Sequence, residues 1–299
     1  MSLKGELSTF TVTSSPAGLF GHPQYPIFTS GDLSSKHAVI FIGGLFNGPG
    51  GVSYVGKLSE ALETAGWKLV QMHWTGAFDG FGTGSLDRDI DEMEVLVNHL
   101  RAKGDTTIVI MGHSTGSQDV IHYLTNKSGV DGGIMQAPVS DREWLATGDK
   151  GKIWRDQIPI AEEMMANGRG TEVLDQSFCE MVGARISADR LFSLVAEGGY
   201  DDYFSSDLPN HPDGVHLHPL SDSFGRLSVP ALALFSSKDQ ENQLGDKEAL
   251  MERWMAAAEG KLEAKMIEGA SHDITEEDAR ADLCEEVIGW LSRVVLRTT

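Results

Sequence analysis

The sequence predicts an α/β fold: a mostly parallel central sheet with helices on both faces and a mainly helical insertion. Short apolar runs of strand-forming residues alternate with helix-periodic segments up to Ala137. The alternation stops between Ser140 and about Arg226, then resumes. One strand, Thr106 to Met111, runs directly into Gly112-His113-Ser114-Thr115-Gly116 and out into a helix pattern.

A polar leader comes first. His37-Ala38-Val39-Ile40-Phe41-Ile42-Gly43-Gly44 is an almost continuous apolar run, as a parallel strand covered on both faces requires. A helix follows from about Tyr54 to Ala65, a strand from Trp67 to His73, and a helix from Leu86 to Arg101. Asp87, Asp89 and Asp91 suit the positive end of that helix; a calcium loop would need a glycine and a closing glutamate that are missing. Gly132 to Ala137 is the next strand. Within the insertion, Ile160–Met165, Thr171–Met181 and Ala188–Ala196 are helix candidates, separated by glycine-rich breaks and expected to form a lid. Met164, Met165, Phe192 and Leu194 are expected there either as an adaptable pocket wall or as core. Ala231–Phe235 is a strand, Lys247–Ala258 a helix, Leu262–Ile267 a strand and Ala279–Leu296 a terminal amphipathic helix. Residues 1–299 are therefore read as a single domain with an insertion over approximately 140–226.

A net charge of -20 disfavours nucleic acid and anionic membranes, and suits a neutral or cationic small molecule, although surface acid also serves solubility alone. The amino terminus lacks an apolar targeting region, and no run approaches the roughly 20 apolar residues of a membrane span. A cytoplasmic location is expected. Cys179 and Cys284 sit in helix-like patterns without metal or redox spacing and are expected to be reduced. His211, His216 and His218 lack ligand spacing, so neither a metal nor a cofactor is expected.

The chemistry centres on Ser114. Gly-x-Ser-x-Gly between a strand and a helix is a nucleophile elbow, in which glycines remove side chains where the helix packs back on the sheet. A serine nucleophile needs a base, and the base an orienting acid, here in the order serine, acid, histidine. Asp239 follows the strand Ala231–Phe235, and His272 follows the strand Leu262–Ile267, each just past a strand end. Asp246 is a competing acid further along the same loop. His113 is expected to pack rather than react. The oxyanion donors are assigned to the amides of Thr115 and Leu45, the latter after two glycines that allow close approach. A phosphate loop at Gly43–Gly51 is disfavoured because no Gly-Lys-Ser or Gly-Lys-Thr ends it.

With these parts in order, the chain resembles the α/β-hydrolase superfamily over nearly its full length. Four blocks narrow the likeness: Gly43-Gly44-Leu45, Gly112 to Asp119, Gln136 to Glu143 and Asp201 to Leu208. Together they resemble the fungal and plant family that includes fusarinine-type siderophore esterases. The resemblance implies intracellular hydrolysis of ester bonds in hydroxamate siderophores, releasing iron after uptake, with Ser114, Asp239 and His272 matching the family's triad. A small-molecule ester is the expected substrate. A thioesterase, lactonase or acyltransferase with the same triad is an alternative, as is a ligand receptor or interaction protein on a hydrolase scaffold.

Overall fold

A computed structural model of the protein describes residues 3–12, 21–145, 148–241 and 246–296. Met1 and Ser2 of the amino-terminal segment, and Ala146 and Thr147 of the expected insertion, lie outside those residues.

The polar leader holds two strands that the sequence reading missed. β1 (Gly5–Thr11) and β2 (Gln24–Gly31) pair antiparallel, with Gly5 opposite Ser30 and Thr11 opposite Gln24. Phe10 is the only buried residue of β1, so its sequence carries no core signal. Pro26 interrupts the pattern of β2, as befits a strand near a sheet edge. These strands exist through pairing rather than through a burial pattern of their own.

The predicted alternation follows with small shifts of boundary: β3 (His37–Ile42), α1 (Val55–Thr64), β4 (Lys68–Met72), α2 (Leu86–Ala102), β5 (Thr107–His113), α3 (Gly116–Asn126) and β6 (Gly132–Gln136). Five helices among the described residues then intervene: α4 (Asp141–Trp144), α5 (Gly148–Arg155), α6 (Ile158–Ala166), α7 (Gln176–Val182) and α8 (Ala188–Val195). The chain returns through β7 (Ala231–Ser236), α9 (Lys247–Ala257), β8 (Leu262–Ile267) and α10 (Glu277–Trp290), which passes into a π-helical turn over Leu291–Val295. The helix expected over Thr171–Met181 starts only at Gln176. Asp175 caps it by accepting from the Ser177 amide, and Val173 before it bridges Ser187.

The eight strands run in the order β1-β2-β4-β3-β5-β6-β7-β8. β3 through β8 are parallel, and β2 meets β4 antiparallel. Side chains leave a strand alternately to its two faces, and both faces here are covered. Ile40, Ile108 and Ile110 join one core, whereas Val39, Val109 and Met111 join the other with Ile134 and Leu232. This is why β3 and β5 are apolar without alternation. The face on the second core is closed by α1 and α10 through Leu58, Leu62, Leu283 and Trp290.

The segment between β6 and β7 has a third core of its own, built from Ala161, Met164, Phe178, Leu191 and Leu194 with Phe81. Met164 and Leu194 are thus packing residues. Met165, which also packs against that core, and Phe192 line a cavity of about 380 Å³ with Asp87, Tyr200 and Leu217. Polar ties brace this segment internally, and Arg190 joins it to the rest through Phe81. Arg142 donates from Nε to Asp202 at 2.7 Å and from its terminal nitrogens to Asp207, while Ser205 donates to Asp202. Buried Arg190 pairs with buried Asp201 and donates to the Phe81 carbonyl at 2.9 Å. The Asp201–Leu208 block is therefore an anchor.

Removing Arg142 leaves the Asp202 carboxylate buried beside no guanidinium. Arg142→Ala is expected to lower the unfolding free energy by about 3 kcal/mol, read from urea denaturation.

Candidate active site

Ser114 sits between β5 and α3 at φ +55°, a backbone conformation that a non-glycine residue seldom adopts. Two glycines make the turn possible. A Cβ on Gly112 would stand 2.0 Å from the Gly116 carbonyl oxygen, and one on Gly116 would stand 2.6 Å from the Gly43 oxygen. Backbone hydrogen bonds hold the turn closed: Ser114 N–H donates to Gln136 O at 2.9 Å, and Ser117 N–H to Ser114 O at 2.8 Å.

The structure brings the three predicted residues together from three strand ends. His272 Nε2 lies 2.8 Å from Ser114 Oγ, and His272 Nδ1 lies 2.9 Å and 3.0 Å from the two Asp239 oxygens. Asp239 and His272 are both buried. Asp246, the competing acid, instead caps α9 by accepting from the Glu248 and Ala249 amides. Burial opposes charge on the His272 ring, but the Asp239 hydrogen bond and the nearby Asp239, Asp273 and Glu241 carboxylates raise its pKa above the ordinary histidine value.

Leu45 and Thr115 line one small cavity with Gly43, Gly44 and Gly116, about 20 Å³ in volume. The Gly43–Leu45 turn presses on the serine: a Cβ on Gly44 would stand 2.8 Å from Ser114 Cβ and 3.2 Å from its Oγ. Asn47 sets this turn, accepting from Gly44 N–H through Oδ1 at 3.0 Å and from Phe78 N–H through its carbonyl at 3.0 Å. Asp141, at the start of α4, is buried against the elbow helix and accepts from Gln118 Nε2 at 2.8 Å. Burial pushes its carboxyl up to about 7.

Residue-by-residue reading singled out neither Asn47, Gln136, Asp141 nor Gln240, whose Oε1 accepts the His272 amide at 3.2 Å. No spacing rule reaches them. Gln136 arrives because β5 and β6 pair with His113 opposite it, and its only signal was the block Gln136 to Glu143. The histidine segment has local partners: His216 Nδ1 lies 2.8 Å from Asp213 Oδ2, and His218 Nε2 lies 2.7 Å from Tyr200 O. Among the described residues, no group of three or more His, Cys, Asp or Glu is arranged to hold a metal. Nor is any described helix long and apolar enough to cross a membrane. Cys179 and Cys284 are buried free thiols, and burial pushes the Cys284 thiol up to about 11.

The parallel sheet and the strand-turn-helix that carries Ser114 define an α/β-hydrolase. Comparison with known proteins gives the particular family. The family described as "Protein of unknown function (DUF1749)" matches residues 8–292, and the chain belongs to it. The fusarinine C esterase of Aspergillus fumigatus is 31% identical over 90% of this chain and 92% of its own length. A UPF0613 protein of Schizosaccharomyces pombe is 32% identical over 86% of this chain and 85% of its own. Among solved structures, a siderophore hydrolase of Aspergillus fumigatus superposes with a TM-score of 0.78 at 27% identity, covering 97% of both chains. The resemblance read from the four sequence blocks is borne out, and the chain is a carboxylic ester hydrolase.

The crowding at Gly44 yields a direct test. Gly44→Ala is expected to displace the serine and reduce kcat on an aryl ester by roughly 100-fold, with an unchanged circular dichroism spectrum.

Proposed function

We propose that the protein is a serine esterase that cleaves ester bonds of a hydroxamate siderophore of the fusarinine type through Ser114, His272 and Asp239. The observation that carries the catalytic part is the unbroken chain from Ser114 Oγ to His272 Nε2 at 2.8 Å and from His272 Nδ1 to Asp239 at 2.9 Å. An imidazole so bonded has its Nδ1 hydrogen held by the carboxylate and its Nε2 lone pair turned to the hydroxyl. His272 takes the serine proton as Oγ attacks the ester carbonyl carbon. The carbonyl oxygen becomes an oxyanion that the Leu45 and Thr115 amides receive. Collapse breaks the carbon–oxygen ester bond, and His272 returns the proton to the leaving alcohol. Water then attacks the acyl-serine, again losing its proton to His272, and the acid leaves as Ser114 is restored.

The substrate assignment is supported by the full-length likeness to the two siderophore-directed relatives. The acidic surface is compatible with a neutral ligand. In this reading the helical segment between β6 and β7 acts as a lid over the site. Exposed Phe46, next to Leu45 and edge-on to Phe81 with ring centroids 4.7 Å apart, offers apolar surface beside the oxyanion position.

Purified iron-loaded and iron-free fusarinine-type siderophores, incubated with the enzyme and followed by mass spectrometry, are expected to release monomeric hydroxamate acids. Ser114→Ala is expected to reduce that release by at least 1,000-fold, on the order seen when a triad member is removed. Release that persists in Ser114→Ala would overturn the catalytic assignment. An intact siderophore alongside a cleaved aryl ester would overturn the substrate alone. Because His272 must be neutral to act as base, kcat/KM is expected to fall with decreasing pH, with a midpoint above about 6.5.

A further inference from the structure

A second histidine–carboxylate contact abuts the triad and has no part in the scheme above. His113, the residue before Ser114, is buried, and its Nε2 lies 3.2 Å from an oxygen of Asp273, the residue after His272. The two imidazole rings lie 5.0 Å apart between centroids. On its other side, His113 Nδ1 lies 2.6 Å from the Gln136 side-chain amide, which is also bonded to Tyr54 OH at 2.9 Å. An ionised carboxylate only accepts, so Nε2 of His113 carries a hydrogen whichever way the Gln136 amide is turned.

The turn so held is strained. Ile274 has φ +47°, a region that a β-branched side chain rarely enters, and such strain persists only where surrounding contacts over-determine it. Ser53, ahead of α1, donates to the carbonyls of Asp273 and Ile274. His113 supplies the side-chain tether. The expectation that His113 packs rather than reacts agrees with this placement but left the tether unread.

We propose that His113 and Asp273 are a positioning pair: His113 donates to the Asp273 carboxylate, seats the His272 turn against the nucleophile elbow, and keeps a negative charge beside the imidazole that receives the serine proton. This rests on the triad reading of the site. The charge stabilises the imidazolium formed during attack. Other titratable or charged groups face the same ring: Asp239 and Glu241 from the loop after β7, and Asp141 from α4. Lys150 of α5 acts on Glu241. The Asp273 carboxyl is distinguished by its bond to His113, which holds it below the usual carboxylate range despite partial burial. It is also 57% exposed on its side chain, so its replacement leaves no buried hole.

The test is the pH profile of kcat/KM on an aryl ester for wild type, Asp273→Asn and His113→Leu, with Ser114→Ala as control. Asparagine keeps the acceptor for His113 and removes only the charge. The acid limb of Asp273→Asn is expected to move down by roughly half a pH unit, a modest shift because the carboxylate is partly solvated. One unit below the wild-type midpoint, that variant is then about two to three times more active than wild type. His113→Leu is expected to lose roughly tenfold or more in plateau kcat while KM changes less than twofold, as a misplaced base does. An acid limb that stays in place or rises in Asp273→Asn overturns the proposal, even where His113→Leu does not fold. Turnover retained by Ser114→Ala removes the triad reading and this proposal with it.

Discussion

Everything at the site depends on how closely β5, α3 and the Gly43–Gly44 turn pack around one serine. With 2.0 Å between a would-be Cβ on Gly112 and the Gly116 oxygen, and 2.8 Å between one on Gly44 and Ser114 Cβ, no side chain larger than hydrogen fits at either place. The Gly43–Gly44 turn stands close over the hydroxyl, with a would-be Cβ on Gly44 only 3.2 Å from Ser114 Oγ. Ser114 itself sits at φ +55°, a strained conformation sustained by hydrogen bonds to β6 and within α3. The burial of β3 and β5 on both faces supplies the rigidity.

Charge is arranged around this centre as deliberately as packing. His272 lies among Asp239, Asp273 and Glu241, whose field outweighs the burial of the ring. On the other side of Ser114, Asp89, Asp119 and Arg190 line the cavity that also contains Leu45 and Thr115. Burial raises the Asp89 carboxyl to about 6 and pushes that of Asp119 well up, against the opposing pull of Arg88 and Arg190. The acids on the His272 side therefore favour the protonated ring.

The segment between β6 and β7 is tied to this arrangement rather than merely laid over it. Its helix α8 carries Arg190 into the wall of the cavity, and its first helix carries Asp141 against Gln118 of the elbow helix. Its own apolar core lets α6, α7 and α8 keep their packing while Arg142, Asp202 and Asp207 set where they sit. The same segment thus contributes to the walls of the site and is braced by its own polar contacts.

The sequence by itself determined the strand-elbow-helix, the order of serine, acid and histidine, and the break in alternation after Ala137. Each is a local pattern: a continuous apolar run, a pair of glycines around a serine, or a strand end followed by Asp239 or His272. Asp239, next to a strand end, meets His272, whereas Asp246, further along the loop, caps α9. What the tertiary structure alone decided is long-range. β1 and β2 have no core-facing pattern and become strands by pairing, with Phe10 and Pro26 obscuring any alternation. Gln136, Asp141 and the His113–Asp273 contact arise where chain segments far apart in sequence converge at one edge of the sheet. Local sequence fixes backbone preference and burial pattern, whereas hydrogen bonds between such distant side chains follow from register and packing.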